Sequence, residues 1–219
     1  MKKLIAIFCA AFFMISTPAF AADIGFGVSA SFTKLESDGA EKELTGDEES
    51  NEGSASEDVL IGEAFLEVIA ENGLVFGVSY VPVRELGSKS RTDALTDHGG
   101  NESGNGDTGT YTAKAELESL YMLYSEIPFG PLYAKVGLQR ADLTSLESLN
   151  SGSTYENISI NGTTFGLGYK SDLGTNLYYK GEVTRTIFDD ISINNNNNTH
   201  AVHADIDATS LRLSLGYKF

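Results

Sequence analysis

The 219 residues carry 31 acidic side chains against 15 basic ones, a formal net charge of -16. Such a chain repels a phosphate backbone, which excludes nucleic-acid binding. A hydrophobic fraction of 41% with 12 Phe and 10 Tyr excludes intrinsic disorder, and 23 Gly with only 4 Pro suit a chain of strands and turns.

Met1-Lys2-Lys3, the apolar run Leu4 to Ile15 and the small-residue site Ala19-Phe20-Ala21 predict a secretory signal over residues 1–21, cleaved before Ala22. Residues 22–219 are then one domain. Cys9 lies inside the signal, so the mature chain has no cysteine, and disulfide and thiol chemistry fall away. After Ala22 no stretch reaches 18 consecutive apolar residues, which excludes a transmembrane helix.

Period-two alternation then predicts eight strands. The first sets Ile24, Phe26, Val28, Ala30 and Phe32 against Gly25, Gly27, Ser29, Ser31 and Thr33. The second sets Leu60, Ala64, Leu66 and Val68 against Glu63, Phe65 and Glu67, and the third Leu74, Phe76, Val78 and Tyr80 against Val75, Gly77 and Ser79. In the fourth, Tyr111, Ala113, Ala115, Leu117, Tyr121 and Leu123 oppose Thr112, Lys114, Glu116 and Glu118. The fifth sets Leu132, Ala134, Val136 and Leu138 against Tyr133, Lys135 and Gly137, and the sixth Phe165, Leu167 and Tyr169 against Gly166, Gly168 and Lys170. Leu177, Tyr179 and Val183 oppose Tyr178, Lys180 and Glu182 in the seventh; Leu211, Leu213, Leu215, Tyr217 and Phe219 oppose Arg212, Ser214, Gly216 and Lys218 in the last.

The connections alternate as well. Glu71 to Gly73, Ser125 to Pro131 and Ser171 to Thr175 are short, whereas 34–58, 84–110, 142–158 and 189–204 are long and polar. Short turns at one end and long loops at the other, with strands near 10 residues, are the pattern of a transmembrane barrel. The second face of each strand carries charges and glycines, too little bulk for a core, so the apolar face points into lipid. Outward rings at Phe26, Phe76, Tyr121, Tyr169, Tyr179, Tyr217 and Phe219 predict a girdle at the short-turn end, and Phe32, Tyr80 and Tyr111 one at the other. A three-residue turn at Glu71-Asn72-Gly73 sets Glu67 opposite Gly77 and Phe65 opposite Ser79. A five-residue turn at Ser171 to Thr175 sets Lys180 opposite Gly166 and Tyr178 opposite Gly168.

The whole mature chain resembles in pattern the small outer-membrane β-barrel proteins, the OmpA transmembrane domain, OmpX and the Opa-like or porin-family surface proteins. Its C-terminal strand, Leu211 to Phe219 with Gly216, Tyr217 and terminal Phe219, resembles the family's assembly signal for the outer-membrane insertion machinery. The resemblance implies an all-β fold, an eight-stranded antiparallel up-and-down barrel in the bacterial outer membrane of a Gram-negative cell. Both termini would be periplasmic and the long loops extracellular. It also implies a structural or surface-interaction role in place of catalysis; a small ion or solute channel is the alternative, and an outer-membrane enzyme the third.

Candidate chemistry is confined to charges. Inward Glu63, Glu67, Glu116, Glu118 and Glu182 nearly balance Lys114, Lys135, Lys170, Lys180, Arg212 and Lys218, which predicts a mutually satisfied network plugging the lumen. Outward Arg140 and Arg185 near the long-loop ends are candidates for contact with lipopolysaccharide phosphates. Residues 34–58, 84–110, 142–158 and 188–207 hold 22 acids against five bases, a crown suited to divalent-bridged surface anions or a cationic partner. His98, His200 and His203 fall in loops, and the spacing of His200, His203 and Asp205 is a weak metal signal, so no metal, cofactor or catalytic residue is assigned.

Overall fold

The computed structural model describes residues 22–44, 50–93, 109–145, 155–196 and 200–219. The predicted signal at 1–21 lies outside them. Ten strands lie among the described residues: β1 (Ala22–Glu43), β2 (Ser50–Ala70), β3 (Val75–Val81), β4 (Arg84–Asp93), β5 (Gly109–Phe129), β6 (Leu132–Ser145), β7 (Ile158–Leu173), β8 (Leu177–Phe188), β9 (Ile191–Asn194) and β10 (His200–Lys218). The order β1-β2-β3-β5-β6-β7-β8-β10 closes on itself through antiparallel β1–β10 pairing. β4 continues the line of β3 past Pro82, which has no N–H to give a ladder, and β9 follows β8 past Asp189 and Asp190. Ten segments thus make a ring of eight antiparallel strands.

The ring is apolar outside and polar within. Leu167 is 71% exposed and Leu213 68%, whereas inward Glu67, Lys180 and Glu182 are at or below 2%. An exterior of this kind suits hydrocarbon and not water.

Several details differ from the sequence reading. The predicted loop 34–58 is largely ladder: β1 stays paired with β2 up to Lys42 opposite Ser50, and with β10 up to Glu43 opposite His200. Backbone pairing needs no apolar side chains, so the hairpin continues above the belt where both faces meet water. The predicted turn Ser125 to Pro131 shrinks to Gly130-Pro131, with β5 reaching Phe129 opposite Leu132. After β7 the turn is Gly174 to Asn176, because Gly174 takes φ +81° and closes it tightly. Lys180 therefore faces Lys170, and Tyr178 faces Asp172, in place of Gly166 and Gly168. The turn at Glu71 to Gly73 does set Glu67 opposite Gly77 and Phe65 opposite Ser79.

A bulge in β5 between Leu117 and Ser119 changes the most. The extra residue reverses the facing of the strand, so Leu117 turns into the lumen, 3% exposed. Glu116 and Glu118 then point away from the lumen, and the predicted inward placement of both is corrected. Tyr121 also moves: it pairs with Tyr80, ring centroids 5.0 Å apart, and belongs to the long-loop girdle. The opposite girdle gathers Phe26, Tyr217 and Phe219, with Tyr169 beside Tyr179.

Candidate functional site

The middle of the lumen holds a chain of alternating charges contributed by five strands. Arg212 on β10 bonds Glu63 on β2 (Nη1 to Oε1, 3.0 Å) and meets Glu182 on β8 (3.1 Å). Glu182 accepts from Lys135 on β6 at 3.0 and 3.2 Å, and Lys135 lies 3.8 Å from Glu126 on β5. Glu126 accepts from Lys180 on β8 at 2.8 Å, and Lys180 also donates to Glu67 on β2. Three phenols complete it. Tyr124 and Tyr178 donate to the two oxygens of Glu67 at 2.7 and 2.8 Å, and Tyr133 donates to Glu182 at 2.7 Å.

These phenols reach their carboxylates by lying over glycine. A Cβ at Gly77 would meet the Tyr124 ring, one at Gly168 the Tyr133 ring, and one at Gly216 the Tyr178 ring. The alternation of long and missing side chains fills a bore only wide enough for side chains.

The structure thus brings together Glu63, Glu67, Lys135, Lys180, Glu182 and Arg212 from the predicted set. Lys170 sits beside them with Nζ 4.3 Å from the Tyr178 ring centroid, a fourth positive charge against four carboxylates. Lys218 is nearer the rim, bonded to Asp172 at 3.0 Å. Glu116 and Glu118 are outside the lumen, and the side chain of Lys114 lies outside the described residues. Sequence reasoning missed Glu126, which is 1% exposed. The signal was there: Met122, Tyr124 and Glu126 alternate with Tyr121, Leu123 and Ile127.

Toward the long loops the inward face turns from charge to hydroxyl and then to hydrocarbon. Gln139 donates to Thr164 at 2.6 Å and to Thr186 at 3.1 Å, and Thr33 bonds Ser210 at 2.8 Å. Beyond them Val81, Leu117, Ala141, Ile160 and Ile191 form a buried apolar cluster, with Ile61, Leu143 and Phe188 packed on it. Charge, hydroxyl and hydrocarbon follow one another along one axis.

Outside the belt the strands of the projecting end carry Glu36, Asp38, Glu52, Asp58, Asp205 and Asp207. The hydrogen bond that the protonated Asp205 carboxyl gives to Asp190, and the charge of Asp190, raise the exposed Asp205 carboxyl from its ordinary value, with Asp38 and Asp207 adding to the effect. Arg185 bonds Asp207 at 2.7 Å and Arg140 lies 3.6 Å from Asp142, with both arginine side chains more than half exposed. His203 is exposed; His98 and the side chain of His200 lie outside the described residues.

A scan against protein-family models matches residues 7–219 to the outer membrane protein beta-barrel domain. A search of curated proteins finds no match. Among solved structures, Ail of Yersinia pestis, crystallised with the heparin analogue sucrose octasulfate, is 12% identical over 88% of this chain and 99% of its own, TM-score 0.42. OprG of Pseudomonas aeruginosa is 13% identical over 91% and 97%, TM-score 0.43. The outer membrane protease OmpT of Escherichia coli is 11% identical over 93% and 99%, TM-score 0.42. Likeness this distant brings neither ligand nor activity to the present chain.

Proposed function

Since this chain belongs to the outer membrane protein beta-barrel domain family, we propose that it is a plugged barrel of the bacterial outer membrane whose task lies at its acidic projecting end, in surface interaction and not in transport or catalysis. The observation that carries this reading is the filling of the lumen: a paired charge chain that reaches from β8 to β2, and an apolar cluster beyond it along the axis. An eight-stranded bore so filled leaves the wall and its extensions as the surfaces available to partners.

In this reading both termini and the short turns are periplasmic, and β1, β2 and β10 project from the cell. Phe219, 68% exposed and stacked on Phe26 at 5.6 Å, is presented at the short-turn rim for the insertion machinery. Arg140 and Arg185, at the outer rim of the belt, offer guanidinium donors to lipopolysaccharide phosphates. The acids above them suit divalent-bridged anions or a cationic partner.

Orientation is testable because the mature sequence has no cysteine of its own. Ser54→Cys on the projecting part of β2 is expected to react with a membrane-impermeant maleimide on intact cells. Glu71→Cys at the short turn is expected to react only after the outer membrane is permeabilised. The reverse pattern would invert the barrel and remove the surface reading.

A further inference from the structure

At the long-loop mouth of the bore one row of side chains crosses four strands. Arg84 on β4 pairs with Leu117 on β5, Leu117 with Leu143 on β6, and Leu143 with Ile158 on β7. Directly opposed residues of a ladder point to the same face, and Leu117, Leu143 and Ile158 all belong to the apolar cluster that closes the bore. Arg84 therefore faces inward too, one cation in a row of hydrocarbon about 14 Å wide at roughly 4.8 Å per strand.

That charge has no counterpart. The Nε of Arg84 is buried, and among the described residues it has no hydrogen-bond partner and the guanidinium no carboxylate within ion-pair reach. Arg212 also has an orphaned Nε, but Glu63 at 3.0 Å and Glu182 at 3.1 Å balance its charge. A guanidinium against buried hydrocarbon is costly until an anion meets it. The surroundings favour an anion's approach from one side. Past a bulge between Glu85 and Gly87, the row of Arg84 continues along β4 with Gly87, Lys89 and Arg91, opposite Ala115, Ala113 and Tyr111. This sector is the basic part of an end that is acidic elsewhere. Val81 and Leu117, 2% and 3% exposed, close the bore there, while Ile61, Leu143, Ile158 and Ile206 packed on them stay partly exposed.

We infer that this mouth binds a short single-chain carboxylate from the medium, its head on Arg84 and its tail over Leu143 and Ile158. The inference goes beyond the surface-interaction reading and does not depend on it. The planar fork of the guanidinium takes both oxygens of a carboxylate. A head alone would leave the partly exposed hydrocarbon wet, and a tail alone would leave Arg84 unpaired. A two-chain lipid of the bilayer is the wrong occupant, because the row lies inside a ring whose bore is only wide enough for side chains. The cluster below stays closed, so the ligand is held at the mouth and does not pass.

The test uses the full mature chain in lipid nanodiscs, isotope-labelled at Leu and Ile methyls and at arginine, titrated with sodium octanoate and followed by NMR. Saturable shifts are expected at the methyls of Leu117, Leu143 and Ile158 and at the Arg84 Nε–H. Acetate and octanol, the head and the tail alone, are each expected to bind at least about tenfold more weakly. Arg84→Gln is expected to weaken octanoate at least about tenfold and to leave octanol unchanged. Should that variant not fold, the Arg84 Nε–H of the wild-type chain decides, shifting with octanoate and not with octanol. Octanol as strong as octanoate, or octanoate binding untouched by Arg84→Gln, is partition onto hydrocarbon and overturns the proposal. Acetate as strong as octanoate makes this an anion site without a tail and overturns it too. So do titrations that never saturate, and shifts that reach Ile69 at the short-turn end, which would carry the ligand through the lumen.

Discussion

Replacing Glu182 by leucine is expected to destabilise the refolded barrel by about 3–5 kcal/mol, the cost of leaving a buried charge without its partner. The carboxylate holds Lys135 at 3.0 and 3.2 Å, Arg212 at 3.1 Å and the Tyr133 hydroxyl at 2.7 Å. Arg212 retains Glu63 at 3.0 Å, so Lys135 is the cation stranded, left with Glu126 at 3.8 Å and the Tyr124 ring centroid at 4.0 Å. Urea unfolding in lipid vesicles measures the loss. Adding Lys135→Met to the same chain is expected to recover part of it, a coupling of about 0.5–3 kcal/mol. A loss below about 1 kcal/mol would mean that water solvates these charges and that the bore is open to it.

Gly216→Val is expected to cost about as much by a different route. The added side chain enters the space of the Tyr178 ring, and overpacking alone costs roughly 1–3 kcal/mol. Displacing the ring also withdraws its hydroxyl from Glu67, a charged hydrogen bond worth about 1.5–3 kcal/mol. Gly62→Ala is the control, since nothing lies within 4 Å of its added Cβ, and it is expected to leave the unfolding midpoint nearly unchanged. Equal midpoints for the two variants would show that the phenol over Gly216 plays no part in packing the lumen.

Alternation alone made the ring and its polarity legible, because a strand between lipid and a narrow bore must sort its side chains by twos. Glu67 opposite Gly77 was legible too, since Glu71-Asn72-Gly73 fixes its own register. Glu126 was marked by the alternation of Met122, Tyr124 and Glu126 but overridden, because Pro128 reads as a turn residue, whereas it stands at the end of β5 opposite Tyr133. The bulge at Leu117 and Ser119 leaves no trace in the sequence: period two holds on each side of it, and only pairing with β6 reveals the change of face. Acid-rich Lys34 to Glu43 hides its ladder for a related reason, as a hairpin wetted on both faces has no apolar row to mark it. The apolar cluster closing the bore combines both effects, since Leu117 reaches it through the bulge and Ile191 through the short β9.

The central claim is that the lumen is shut. Planar-bilayer recording of the refolded mature chain tests it most directly. Lys180 between Glu67 and Glu126 fills the axis at one level and the Val81–Leu117–Ile160 cluster at another. No steady ohmic current beyond rare brief openings is expected at any moderate voltage, and Glu182→Leu alone is not expected to open a path, because the apolar cluster remains. Stable, ion-selective channels of uniform size in the wild-type chain would contradict the closed lumen and make this protein a small pore.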